Sequence, residues 1–176
     1  MPPRRPGPGG GVTALRRAGR YDEARAYLAD RSSVVRACAR YVVRQGGGDP
    51  LPLYRALCAD GVTAPGAAAG LGECGDRSDA GTVRALVRYP VPAVRAQAVT
   101  GLRALDAVTR EGLGPLLDDP SPAVVRAATR ALLPHAAEFP VAWLRERDAP
   151  DRPRATRVAA RRLLRAAGLP LPRPAP

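Results

Sequence analysis

Arginine is the residue type in this sequence most able to do chemistry, and it recurs at regular spacing. The chain of 176 residues has 28 basic residues, all of them arginine, and one histidine. Pairs four residues apart, the spacing that places two side chains on one helix face, occur at Arg36/Arg40, Arg126/Arg130 and Arg157/Arg161, with Arg95 at a related place. Guanidinium groups bind carboxylates and phosphates through paired hydrogen bonds, so the pattern indicates either internal ion pairs or a surface for an anionic partner.

The last group of arginines differs from the others because no acidic residue follows Asp151. On a helix, the side chains of Arg154, Arg157, Arg161 and Arg165 form one narrow stripe with Arg162 at its edge, and Ala155, Ala159, Leu163 and Ala166 occupy the opposite, buried side. This stripe is interpreted either as a polar outer face or as a docking surface for phosphate, nucleic acid or an acidic protein partner.

The other reactive residue types do not form a recognisable catalytic group. His135 follows Pro134 and has no second metal ligand at a suitable spacing. Cys38, Cys58 and Cys74 are odd in number and lack a CxxC spacing, which argues against a disulfide framework and against zinc. The sequence therefore predicts no catalytic residue, no metal site and no cofactor, and the thiols indicate a reducing cytoplasm.

Positive charge is concentrated at the two ends of the chain. The net charge is +12, yet residues 21–150 hold sixteen arginines against fifteen acidic residues. Lysine, isoleucine and asparagine are absent, which is typical of a GC-rich bacterial genome, so codon usage explains part of the arginine excess. Nucleic-acid binding is therefore indicated by the ends of the chain and not by its body.

The elements that would position these arginines recur every thirty residues. Positions 30, 60, 90, 120 and 150 each fall in a turn-forming cluster, preceded by a short apolar segment and followed by an alanine-rich one with helical periodicity. Ser121 and Pro122 have the chemistry of a helix start, and Pro92 and Pro153 stand at the same place. Gly46–Gly48 and Gly168 are expected to end helices. In the copy that follows position 120, the predicted apolar face consists of Val124, Ala128, Ala131 and Leu132.

The second copy is the weakest. Pro65, Gly66, Gly70 and Gly72 replace residues that favour helices, which predicts a short, distorted helix or a hinge, or simple degeneration of the repeat.

A helical hairpin of this size cannot bury its own apolar face, so neighbouring copies must stack into a solenoid. The string DPSPAVVRAATRAL at 119–132 and its weaker copies resemble HEAT and HEAT-like repeats, and the short period is similar to that of phycobilisome-lyase-type repeats. The resemblance implies an all-α, right-handed α-α superhelix of about five hairpins, at residues 20–48, 50–75, 79–106, 108–136 and 139–168. Residues 1–11 and 169–176 would be disordered tails around a repeat domain at 12–168.

The resemblance also implies roles for the arginines. Second helices line the concave surface of such solenoids, so Arg36, Arg40, Arg95, Arg126 and Arg130 would form a ladder there, called the arginine ladder below. Either these residues bond aspartates of the preceding turns, for which Asp30, Asp60, Asp119 and Asp148 are candidates, or they form an anion-binding ridge.

The function expected from these features is a non-catalytic scaffold that binds a protein partner. The alternative is binding of nucleic acid or another polyanion through the arginine-rich C-terminal helix. HEAT-like DNA glycosylases use an aromatic-lined cleft with an acidic residue. Trp143 is the one tryptophan here, and it is expected to pack either on the outer side of the solenoid or between repeats. A lyase activity follows only from the family name. No apolar run is long enough to insert into a membrane.

Overall fold

The computed structural model describes residues 8–60 and 65–169, and every regular element within those ranges is a helix. The α-helices are α1 Pro8–Arg17, α2 Ser33–Gln45, α3 Pro50–Ala59, α4 Pro65–Cys74, α5 Ala80–Ala85, α6 Pro92–Ala104, α7 Arg110–Leu113, α8 Pro122–Leu132, α9 Val141–Arg147 and α10 Arg154–Ala166. Segments of 3-10 helix lie at Asp22–Tyr27, Arg77–Asp79, Leu86–Arg88, Gly114–Asp118 and Leu133–Glu138. The predicted all-helical class is confirmed. None of the described helices has the length and apolar character needed to cross a bilayer.

The helices form hairpins in which the second helix is longer than the first segment, except in the second hairpin, where α3 and α4 have 10 residues each. The second helices are α2, α4, α6, α8 and α10, and from α4 onward each packs against the next along the stack. Several first segments are 3-10 helix rather than α-helix. Pro115 follows the end of α7 and Pro134 follows the end of α8. Because proline lacks the N–H group that would continue either α-helix, the chain goes on as 3-10 helix.

Four of the second helices bury the same positions when residues are counted from the N-cap, the residue that precedes the first helical one. The N-caps of α2, α6, α8 and α10 are Ser32, Val91, Ser121 and Pro153. The third residue after the cap is buried in each helix: Val35, Val94, Val124 and Thr156. The seventh is an alanine at 0% exposure in each: Ala39, Ala98, Ala128 and Ala160. Alanine at this position lets neighbouring helices approach closely.

The helix starts largely follow the predicted turn chemistry. Pro92 and Pro122 occupy the first helical position, as expected, whereas Pro153 is itself the N-cap of α10. The hydroxyl of Ser121 makes no capping hydrogen bond. Its backbone N–H instead donates to Asp119 Oδ1 at 2.8 Å, so an aspartate side chain fixes this turn.

Helix α1 extends the solenoid beyond the five expected repeats. It packs on α2, and one apolar cluster runs from Val12 in α1 to Leu164 in α10. The helical part therefore begins at Pro8, before residue 12, and Leu169 packs against the core at the other end. Residues 1–7 and 170–176, which make up most of the expected tails, lie outside the described residues.

Glycines with positive φ follow three helices. Gly47 and Gly168 have φ values of 77° and 71°, which confirms the predicted ends of α2 and α10. Gly19, at 68°, follows α1 in the same way. Glycine tolerates this left-handed conformation because it has no Cβ atom.

Helix α4 is regular, which corrects the prediction of a distorted helix or hinge. Residues 66–72 are all buried. A Cβ atom on Gly70 would lie 2.0 Å from Tyr54 Cε1, and one on Gly72 would lie 2.5 Å from the Cα atom of Gly101 in α6. The glycines are therefore required by close packing of α4 against its neighbours, which outweighs their low helix propensity.

Candidate functional site

The string Val-Val-Arg occurs at 34–36 in α2 and again at 124–126 in α8. The two copies are out of structural register by one residue. Arg36 is the fourth residue after the N-cap Ser32, whereas Arg126 is the fifth after Ser121. One residue rotates a side chain by about 100° around a helix. Arginines from nearly identical strings therefore face in different directions, and the fourth position in α8 is occupied by Val125.

Arg36 is an interior ion-pair residue. Its side chain is 3% exposed, and its guanidinium donates to both carboxylate oxygens of Glu73 in α4. The same group donates to the backbone carbonyl oxygens of Asp30, at 2.7 Å, and Arg31, at 3.0 Å. Arg36 therefore joins the turn before its own helix to the following repeat.

Glu73 is shared between two arginines. Arg40 also donates to its carboxylate and lies 3.4 Å from the hydroxyl of Tyr54. Burial raises the pKa of Glu73, but the hydrogen bonds from Arg36 and Arg40 outweigh burial and hold the pKa of that carboxyl below its ordinary value. The group is therefore a charged, structural carboxylate at neutral pH, not a proton donor.

Arg95 repeats this arrangement in the third hairpin. Its Nε and Nη2 atoms each donate to Asp119 at 2.8 Å, in a bidentate pair. Its Nη1 atom donates to the carbonyl oxygens of Tyr89 and Pro90, both at 2.9 Å. Asp119 lies in the turn before α8, so the carboxylate again comes from the following repeat.

These contacts correct the expected direction of the arginine ladder. The preceding turn supplies backbone carbonyls, and the next repeat supplies the carboxylate. Asp30, a candidate partner of Arg36, uses Oδ1 to accept from the backbone N–H of Ser32 at 2.7 Å. Arg126 and Arg130 are exposed, and neither makes an ion pair or hydrogen bond with another residue in the described ranges. Of the five ladder residues, Arg36, Arg40 and Arg95 form ion pairs with other side chains in the described ranges.

The arginines of α10 do not behave as one stripe. Arg161 Nε lies 2.6 Å from Oδ1 of the buried Asp148. Asp148 therefore pairs with an arginine of the following helix, as expected of that aspartate, and the expectation that no acid neutralises this helix is wrong at that position. Arg157 occupies the fourth position after the cap, and its Nε atom is buried with no hydrogen-bond partner in the described part of the chain. Arg154, Arg162 and Arg165 are exposed and unpaired within residues 8–60 and 65–169.

The buried side of α10 is also rotated from the predicted one. Ala159 and Leu163 are buried as expected, but Ala166 is exposed and Ala155 is half-buried. Thr156, Ala160 and Leu164 complete the buried side instead. The chain's own packing thus turns Arg154 and Arg162 toward α8 rather than leaving them on a remote outer face.

A groove of about 290 Å³ lies between α8 and α10. Val125, Val158 and Ala159 contribute to its apolar floor, and Arg126, Arg154 and Arg162 stand along it. None of the residues lining the groove is acidic. The structure therefore brings together one residue of the predicted ladder and two of the predicted α10 stripe.

Trp143 lines a different cavity, of about 220 Å³, together with Phe139 and Arg110. The rings of Trp143 and Phe139 are 5.1 Å apart, and the Arg147 guanidinium lies 3.4 Å from the Trp143 ring centroid. Arg147 also bonds Asp118 at 2.7 Å. The Arg147 guanidinium covers one face of the indole, and its bond to Asp118 joins this contact to the fourth repeat. Trp143 therefore packs between repeats.

The remaining reactive groups are held in ordinary contacts. Burial raises the pKa of the Cys58 thiol to about 12 and also raises that of Cys74. His135 Nδ1 lies 2.8 Å from Glu138 Oε1. Among the described residues, no three His, Cys, Asp or Glu side chains are grouped closely enough to hold a metal ion.

The sequence reasoning missed the carboxylates that cross between repeats, above all Glu73. It is the single acidic residue of α4, an otherwise apolar helix, and that isolation was the available signal. Counting from the N-cap residue, rather than aligning identical letters, would also have separated Arg36 from Arg126.

Comparison with known proteins shows the fold. No protein-family model matches the chain, and no curated protein matches it. A solved structure described as "Designed armadillo repeat protein YIII(Dq)4CqI" is similar to it, with a TM-score of 0.51 and 16% sequence identity over 92% of this chain and 87% of that chain. The chain therefore has the helical-repeat solenoid fold of armadillo- and HEAT-like proteins.

Proposed function

We propose that the chain is a non-catalytic scaffold that binds a protein partner through the surface of its stacked second helices. The observation that carries the proposal is the single apolar core that runs from α1 to α10. A solenoid of this kind exposes a long surface relative to its size, and such surfaces suit the binding of partner proteins. The setting proposed for the scaffold is the reducing cytoplasm, which its three free cysteines favour.

The charge distribution supports a role for the last two repeats in binding. In the first and third repeats, Arg36 and Arg95 are already paired with carboxylates of the chain. In the third repeat Arg84, Arg88 and Arg103 are also exposed, but in the fourth and fifth repeats the exposed Arg126, Arg154 and Arg162 line one shared groove. Unpaired guanidinium groups on a rigid helical frame are available for an incoming anion because no internal contact must be broken first.

A second candidate function is binding of nucleic acid or another polyanion through α10. The exposed Arg154, Arg162 and Arg165 favour it, since each phosphate contact would release counterions. The pairing of Arg161 with Asp148 counts against it, because it removes one charge from the predicted stripe.

Photo-cross-linking in the native host tests the scaffold proposal. The chain contains no lysine, so amine-reactive reagents would not label its helices. A photoreactive amino acid placed at Arg130 in α8 samples the second-helix surface. The matched control is the same residue at Arg145 in α9, which is also exposed but lies on a first helix.

The expected result is a protein adduct at position 130 that is absent at position 145. The purified partner should then bind the purified scaffold directly, as measured by calorimetry. Adducts to nucleic acid at position 130, with retention on duplex DNA that falls steeply with salt, would instead favour the polyanion function. Equal labelling at both positions would contradict a second-helix binding surface.

A further inference from the structure

At the junction between α8 and α10, arginines line a groove that contains no carboxylate. Glu73 accompanies Arg36 and Arg40 where α2 meets the second repeat, and Asp119 accompanies Arg95 where α6 meets the fourth. At the α8–α10 junction the equivalent fourth position is Val125, which is 1% exposed. An apolar residue therefore occupies the position at which α2 and α6 have an arginine paired with a carboxylate.

The result is a groove with separated apolar and cationic parts. Val158 is 45% exposed although it sits on an apolar floor, so part of its surface is uncovered. Arg126 of α8 lines one side of the groove, and Arg154 and Arg162 of α10 line the other. All three guanidinium groups lack an ion-pair partner in the described part of the chain.

This combination fits a peptide better than a nucleic acid. Proteins usually bind single-stranded nucleic acid through aromatic side chains that stack on the bases, together with a positively charged groove for the phosphates. No aromatic side chain lines this groove, whose floor is aliphatic. An aliphatic floor between cationic walls complements one apolar side chain flanked by carboxylates.

We propose that the groove between α8 and α10 binds a short acidic segment of a partner protein. An apolar side chain of that segment packs on the exposed surface of Val158, and its carboxylates pair with Arg126, Arg154 and Arg162. This inference rests on the proposed scaffold function and names the chemistry of the partner at one site.

The probe is a fluorescein-labelled acidic peptide, DEELLEED, whose binding is followed by fluorescence anisotropy at 0.15 M salt. A second peptide, DEESSEED, keeps every charge and removes the apolar side chains. A twelve-base-pair DNA duplex provides the polyanion without an apolar anchor. Wild-type protein is expected to bind the leucine peptide at least about fivefold more tightly than the serine peptide.

Two charge-matched triple variants test the position of the site. The first replaces Arg126, Arg154 and Arg162 with glutamine and removes the walls of the groove. The control replaces the exposed Arg84, Arg88 and Arg103, which lie outside the groove and are unpaired among the described residues. Circular dichroism of both variants verifies that the helical fold is kept.

The groove variant should lose about tenfold or more of its affinity for the leucine peptide, while the control stays within about threefold. Val158→Ser should lower affinity for the leucine peptide and leave affinity for the serine peptide unchanged. Equal losses in both triple variants would overturn the proposal, because net charge alone would then explain binding. DNA binding that is tighter than peptide binding and insensitive to Val158→Ser would overturn it in favour of a polyanion surface.

Failure here can be told apart from failure of the scaffold function. A partner captured by photo-cross-linking at position 130, together with no peptide binding to the groove, would leave the scaffold standing and reject the acidic segment.

Discussion

Arg36 and Arg126 stand in nearly identical strings, yet the structure gives them opposite roles, so their replacement by glutamine is a direct test of the helix register. Arg36→Gln removes donors from both oxygens of Glu73 and from the carbonyl oxygens of Asp30 and Arg31. Arg126→Gln removes a charge from an exposed side chain with no partner among the described residues.

The expected magnitudes follow from burial. Removing one member of a buried ion pair costs about 3–5 kcal/mol, and Glu73 keeps Arg40, so the lower end of about 3 kcal/mol applies to Arg36→Gln. A domain of this size loses about 2–4 °C in Tm per kcal/mol, which gives a fall of about 6–12 °C. Arg126→Gln should change stability by no more than about 0.5 kcal/mol, or about 2 °C.

Urea unfolding followed by circular dichroism at 222 nm measures both variants against the parent. A double-mutant cycle of Arg36→Gln with Glu73→Gln should show a coupling energy of about 1 kcal/mol or more, since the two side chains are in direct contact. The corresponding cycle of Arg126→Gln with Glu73→Gln should be additive. If Arg126→Gln is as destabilising as Arg36→Gln, the one-residue offset between α2 and α8 is incorrect.

Three further predictions test the packing and the charge network. Gly72→Ala should destabilise the fold by about 1–3 kcal/mol despite its gain in helix propensity, because its Cβ atom would lie 2.5 Å from the Cα atom of Gly101. Gly81→Ala adds a Cβ atom with nothing within 4 Å, so it should be neutral or stabilising by up to about 1 kcal/mol in the same urea unfolding experiment. Ala128→Asp buries a carboxylate at a fully buried position and should cost several kcal/mol, so a melting temperature within a few degrees of the parent would contradict the assigned register. The pKa of Glu73 is lowered in the folded protein, so its contribution to stability is present above the unfolded pKa of about 4.3 and is lost as pH falls through the lower folded value. Urea midpoints from pH 6 to pH 3 should therefore fall less steeply for Glu73→Gln than for the parent, and parallel curves would contradict the ion network.

The repeat architecture could be predicted because its signals are local. Turn-forming clusters every thirty residues and the apolar spacing of Val124, Ala128 and Leu132 depend on neighbouring residues alone. Helix α1 was missed because its sequence, PGGGVTALRR, has poor helix propensity and is stabilised by packing on α2. Helix α4 was misjudged for the same reason, since its glycines are favoured by contacts with Tyr54 and Gly101 that the sequence does not display.

The candidate site was only partly predictable because it depends on rotation about each helix. The spacing of arginines located Arg126, Arg154 and Arg162 correctly on helices. Their meeting in one groove depends on where α8 and α10 begin. The side chain of Ser32 caps α2 with a hydrogen bond, whereas Ser121 and Pro153 make no side-chain capping bond. A one-residue change in turn length is invisible to a comparison of similar strings, yet it decides whether an arginine faces a carboxylate or solvent.

The close contact between α4 and α6 has a consequence for how the molecule opens. In a solenoid each repeat contacts only its neighbours, so local unfolding starts at the ends and stops at the strongest junction. Gly72 and Gly101 bring two backbones together in the middle of the stack, which makes that junction the barrier to unfolding from either side. The groove between α8 and α10 lies on the C-terminal side of that junction, in a segment that can open while the α4–α6 contact stays intact. A segment bound across it would bridge the last two repeats, and hydrogen exchange at the C-terminal end would then slow in proportion to how fully the groove is occupied.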